Sequence, residues 1–228
     1  MELAINLFSS VTILAYLALA VLSFVNGGLS PRSIVFAVIM ILGALWASTT
    51  FFPTDNIDSY VIMFKVTISA LISLYFFLFL FFMTMIKGVT KKQFIIIVAA
   101  GVSTILIVGF ATLLMPNSMI LNSYDVVDGV IRTEYNALYL LFLNLVAATF
   151  GFSALAVAVT AYKRATGRSK TIIRTTMIAL IVFAIFDIVF SLFLNMNADG
   201  ARVIGPMSVL LVGPVFYRHV VAHADDEL

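Results

Sequence analysis

"ALIVFAIFDIVFSLF", residues 179–193, is a run of apolar side chains broken by a single carboxylic acid, Asp187. With its flanks it forms an apolar stretch of residues 172–196, long enough to cross a hydrocarbon layer of roughly 30 Å, which takes about 20 residues as a helix. The whole chain has the same character. Of its 228 residues 63% are hydrophobic and only 11% charged, far outside the range of a water-soluble globular domain. The fold class expected is therefore all-α, a polytopic membrane protein made as one helical domain. Cysteine is absent, which excludes disulfide staples and thiol or Cys-metal chemistry.

Apolar runs at residues 4–25, 34–52, 59–86, 94–115, 136–161, 172–196 and 203–222, separated by short polar stretches, predict seven spans. They make a transmembrane domain over 1–222, followed by a short acidic tail, 223–228. The first run has no basic segment before it and is long enough to span, so it reads as a helix rather than a cleaved signal. No internal repeat is visible, which weakens an inverted-repeat transporter reading.

Charge orients the bundle. Arg32, Lys87, Lys91, Lys92, Lys163, Arg164, Arg168, Lys170, Arg174 and Arg218 fall at alternate ends of the spans, while Arg132 and Arg202 are the basic residues at the opposite ends. The N-terminus is expected outside and the C-terminus in the cytoplasm of a multi-pass cell-membrane protein. The basic loops read as topology signals rather than lipid-headgroup sites. One outer connection has strand character: in "MILNSYDVVDGVIRTEY", residues 119–135, two strand-like runs flank Asp128-Gly129, a pair suited to a tight turn. An outer β-hairpin between the fourth and fifth spans is expected, serving either as a lid or as a cover for the bundle.

The acid in the opening stretch then acquires a setting. At about 1.5 Å per residue, Asp187 lies roughly 15 Å below the outer end of the sixth span and Lys65 roughly 9 Å below that of the third. Lys65, Ser69 and Ser73 recur at i, i+4 and i+8, as do Asp187, Ser191 and Asn195, so each series occupies one helix face. Ionised side chains inside a bilayer face the bundle interior and pair or line a wet cavity. Lys65 and Asp187 are opposite in sign, and a pair between them is the simplest expectation. Trp46 and Asn144 fall near the same depth, which suggests a polar-aromatic cavity for an unknown small ligand. A structural ion pair that fixes helix register is the equal alternative, and Trp46 taken alone is read as an interfacial anchor ahead of a ligand contact.

Other features are read as packing. Ala147, Gly151, Ala154 and Ala158 form a small-residue seam on the fifth span, with a shorter one at Gly43 and Ala47 on the second. The phenylalanine-rich "LYFFLFLFFMTM", residues 74–85, suits core or lipid contact rather than a cofactor, and no cofactor is expected. The last span carries Gly205-Pro206 and Gly213-Pro214, each proline removing a backbone donor. Below them Arg218 and His219 leave the membrane, so Pro206, Pro214, Arg218 and His219 mark a candidate output lever. His219 and His223 stand four apart, yet two isolated histidines at a membrane exit are read as solvated, with no metal site.

The pattern "LGALWASTTFF" in the second span, the long connection before "YNALYLLF", the inner "KRATGRSKTIIRTTMIAL" and the ending "GPVFYRH" resemble the seven-helix sensor region at the N-terminus of prokaryotic histidine kinases. That resemblance implies a membrane receptor-like sensor module working with a cytoplasmic kinase domain in cis or in trans, as a homodimer, and with no nucleic-acid partner. The chain departs from it in carrying no phosphoacceptor-histidine helix or ATP-binding domain. A retinal protein would need a lysine in the last span, and none lies between Val203 and Val221. An enzyme is not expected, because no paired acids, Cys or His lie within the body of the spans. A small-solute or proton-coupled transporter, with the Lys65–Asp187 couple as its titratable element, is the second reading.

Overall fold

The computed structural model describes residues 2–51, 56–85, 90–127, 130–194, 209, 210, 212–218 and 220. Helix α1 runs Glu2–Gly27 and α2 Pro31–Ser48, prolonged by a 3₁₀ turn at Thr49–Phe51. Helix α3 runs Ile57–Met83, α4 Lys91–Leu114 and the single turn α5 Asn117–Ile120; strands β1, Leu121–Val127, and β2, Val130–Tyr135, follow, then α6, Ala137–Arg164, and α7, Gly167–Leu194. Helical residues 209, 210, 212–218 and 220 form a terminal segment.

Local chemistry sets these boundaries. Ser30 caps α2 by accepting from the Ser33 amide, with Pro31 at the first helical position, where its missing N–H is no loss. Asn56 and Asn136 cap α3 and α6 in the same way, through the Asp58 and Leu138 amides. Thr90 and Gln93 close a reciprocal capping box on α4. Gly28, at φ 58°, supplies the left-handed residue that ends α1.

Among the described residues, five helices are long and apolar enough to cross a membrane: Asn6–Gly27, Pro31–Phe51, Ile57–Met83, Lys92–Leu114 and Ala137–Arg164. The described residues thus have the architecture of an all-α membrane protein with one two-stranded antiparallel ribbon among them. In that ribbon Val127 pairs with Val130 and Leu121 with Tyr135, and the register shifts between Leu121 and Ser123. Its two strands coincide with the strand-like runs read within residues 119–135, and the Asp128-Gly129 turn lies outside the described residues.

Helix α3 is central: it packs on α2, α4 and α6, while α1 packs on α2 and α7 on α6. Within an 18-residue apolar window of each helix, buried residues make up 61% in α2 and 56% in α3, against 6% in α4 and 7% in α6. The helices at the periphery turn Ile107, Phe110, Leu138 and Phe152 outward. Such a surface would aggregate in water, but lipid tails are as apolar as the side chains themselves.

Two glycines allow close approach. A Cβ at Gly101 on α4 would lie 1.5 Å from Phe76 Cζ, and one at Gly43 on α2 would lie 2.7 Å from the Tyr16 ring. The expected seam on α6 is realised in part: Ala154 and Ala158 are buried, but a Cβ at Gly151 meets nothing within 4 Å. The Ala147 side chain lies outside the described residues.

Candidate functional site

Lys65 sits in the third turn of α3 and is only 7% exposed. Its ammonium donates to the carbonyl oxygens of Leu113, at 3.2 Å, and Met115, at 2.6 Å. These carbonyls belong to the end of α4, where the chain turns extended at Met115 (ψ 134°) and the last carbonyls have no intrahelical partner. A cation there satisfies orphan acceptors and meets the negative end of the helix dipole. Lys65 therefore acts as a cap supplied by one helix to another.

The surroundings are aromatic and polar. The Phe64 ring stacks on Tyr135 at 4.5 Å and lies 6.3 Å from Tyr139. The Tyr60 and Tyr135 hydroxyls share a hydrogen bond of 2.8 Å. The Tyr139 hydroxyl is buried beside Thr112, itself 3% exposed. The Asn136 amide donates to the Ile120 carbonyl at 2.8 Å, closing the base of the ribbon. The first turns of α3 are thus gripped by the end of α4, the ribbon base and the start of α6.

Among the candidates whose side chains are described, none is a hydrogen-bond partner of Lys65. Ser73 donates to the Ser69 carbonyl at 2.7 Å, and Ser69 Oγ is buried 4.0 Å from the Cβ position of Gly109 on α4. The Lys65, Ser69 and Ser73 series runs along α3, and at Lys65 and Ser69 it meets α4. Trp46 is 5% exposed and packs in the main core with Tyr16, Phe36 and Leu74. Asn144 is exposed on α6. Asp187 and Ser191 lie on α7, with side chains outside the described ones; Asn195, Pro206 and His219 also lie outside the described residues. A cleft of about 330 Å³ opens between α4 and α6 over Ile72 and contains none of the candidates. Its Thr104 and Thr149 hydroxyls bond back to their own helices, at Ala100 and Leu145, so the lining is apolar in effect. Among the described residues no group of three or more His, Cys, Asp or Glu could hold a metal ion.

The terminal segment is where sequence reasoning missed most. Phe216 is buried, stacks on Phe81 at 5.3 Å and meets Phe82 edge-on at 6.1 Å. Asn26 donates to the Tyr217 hydroxyl at 2.5 Å, and the Tyr16 hydroxyl is hydrogen-bonded to the Leu210 backbone. Gly213 faces the bundle, its Cβ position 3.2 Å from Leu19, while Pro214 and Arg218 are exposed. At the same end of α3, the Arg32 guanidinium donates to the Thr84 carbonyl at 3.2 and 3.3 Å. Asn26 precedes Gly27-Gly28 and reads as a loop residue, and only its distant partner reveals the contact. The chain matches no family model and no curated protein.

Proposed function

We propose that this chain is a receptor-like membrane sensor, with seven spans, the N-terminus and β-ribbon outside and the C-terminus in the cytoplasm. A ligand or a change in the membrane biases two arrangements of the bundle, and the terminal segment passes the difference to a cytoplasmic signalling partner. The observation that carries this reading is the docking of the terminal segment among α1, α2 and α3 through Phe216 and Tyr217. A helix so held reports any change in their relative positions. The likeness to kinase sensor regions supports a histidine kinase as the partner, in a homodimeric assembly.

The second reading, a transporter, draws on the buried charge of Lys65. Its described partners are backbone carbonyls, which suits a fixed cap better than a carrier. A photo-crosslinking residue at Arg218, used in native membranes, should capture a kinase or response regulator. Proton or solute flux into proteoliposomes through the wild-type chain, abolished by Lys65→Met, would overturn the sensor reading.

A further inference from the structure

We propose that α3 is a transmission rod coupling the β-ribbon at one end of the bundle to the terminal segment at the other. The inference deepens the sensor reading and rests on it only for the direction in which the signal runs. Both ends of the rod are gripped, and by different elements. At the ribbon end, Tyr60 bonds to the Tyr135 hydroxyl, Phe64 stacks on Tyr135, and Lys65 holds the end of α4. At the far end, Phe81 and Phe82 pack on Phe216, and the Thr84 carbonyl accepts from Arg32. Phe64 and Phe81 stand 17 positions apart on unbroken helix, about 26 Å of rise.

The middle of α3 is packed in a way that transmits displacement rather than absorbing it. Leu74, Phe76, Leu78 and Leu80 are all buried, and Phe76 fills the space left by Gly101. No glycine or proline interrupts α3, so it has none of the usual sites of bending. Close-packed interiors have low compressibility, so a tilt or rotation imposed on Phe64 by the ribbon reappears at Phe81. The contacts there are aromatic faces with defined angles, 24° for Phe81 on Phe216, and a rotation of α3 must repack them. A chain of packed side chains with discrete arrangements is what physical coupling between distant sites requires.

Hydrogen exchange of the full chain in nanodiscs tests this without any signal, so failure would leave the sensor reading standing. Tyr135→Ala removes both the hydroxyl pair and the stack. It should speed exchange of amides 212–218 roughly 2- to 30-fold, the range that residue couplings give, while amides 172–180 on α7 change less. Coupling is reciprocal, so Phe216→Ala should speed exchange in 121–127 and 130–135 by a similar factor. Tyr135→Phe, which keeps the stack, should show a smaller effect at 212–218 than Tyr135→Ala. Unchanged exchange at 212–218 in Tyr135→Ala overturns the proposal. So does an equal rise at 172–180, since that reports general loosening of the bundle.

Discussion

Replacing Lys65 with methionine separates two roles for the buried charge. The substitution keeps most of the aliphatic stem but removes two charge-assisted hydrogen bonds, to Leu113 and Met115. Such bonds contribute about 1.5–3 kcal/mol each, or roughly 3–6 kcal/mol together before compensation. Relief from burying an ammonium offsets part of this loss, and a cation in a partly buried C-terminal cap is worth up to about 2 kcal/mol net. A destabilisation of about 2 kcal/mol follows, which lowers Tm by about 4–8 °C in a chain of this size. Trp46, the single tryptophan and a buried one, provides the fluorescence signal for thermal unfolding in detergent. Asp187→Asn and the double variant complete a cycle. A capping role predicts that the two changes add within about 0.5 kcal/mol, whereas an ion pair predicts that the double variant recovers stability over either single one. A Tm for Lys65→Met within a degree of wild type would refute the reasoning for both roles.

Gly101→Ala should destabilise by about 1–3 kcal/mol through overpacking, because the Phe76 ring is itself boxed in by Phe77, Phe79 and Phe150. Adding Phe76→Leu should restore Tm, and a failure of rescue would show that the contact is not the cause. Gly151→Ala serves as the contrast: with open space at its Cβ it should be neutral or stabilising by up to about 1 kcal/mol, read from the same melts. For orientation, Ser118→Cys and Thr166→Cys, both exposed in this cysteine-free chain, should react with an impermeant thiol reagent from outside and from the cytoplasm respectively. Labelling of Thr166→Cys from outside would reverse the proposed topology.

How much of this was legible from sequence depends on where the partner of each group lies. The apolar helices were readable because length and hydropathy are local signals, whereas the caps that end them, such as Ser30 on α2 and Thr90 with Gln93 on α4, came from the structure. The two strands were readable as strand-like runs on either side of Asp128-Gly129. The role of Lys65 was not, because its acceptors are backbone carbonyls, and every residue has one. Charge drew attention to Asp187, while nothing in the letters distinguishes Leu113 or Met115 as acceptors. Trp46 and Asn144 show the same limit in reverse. Depth can be counted from sequence, but the direction each side chain faces depends on which helices become neighbours, and it put Trp46 in the core and Asn144 outside.

The cap that Lys65 places on α4 also constrains how the chain can be made. Synthesis runs from the N-terminus, so Lys65 arrives 48 residues before Leu113 and 50 before Met115. During that interval its ammonium has neither acceptor, and a bare charge within hydrocarbon costs several kcal/mol. In a bilayer, the final depth of helix α3 is therefore stabilised by α4. The expectation is that Lys65 stays near the water boundary until α4 emerges, and that the two helices then settle in the bilayer as a pair.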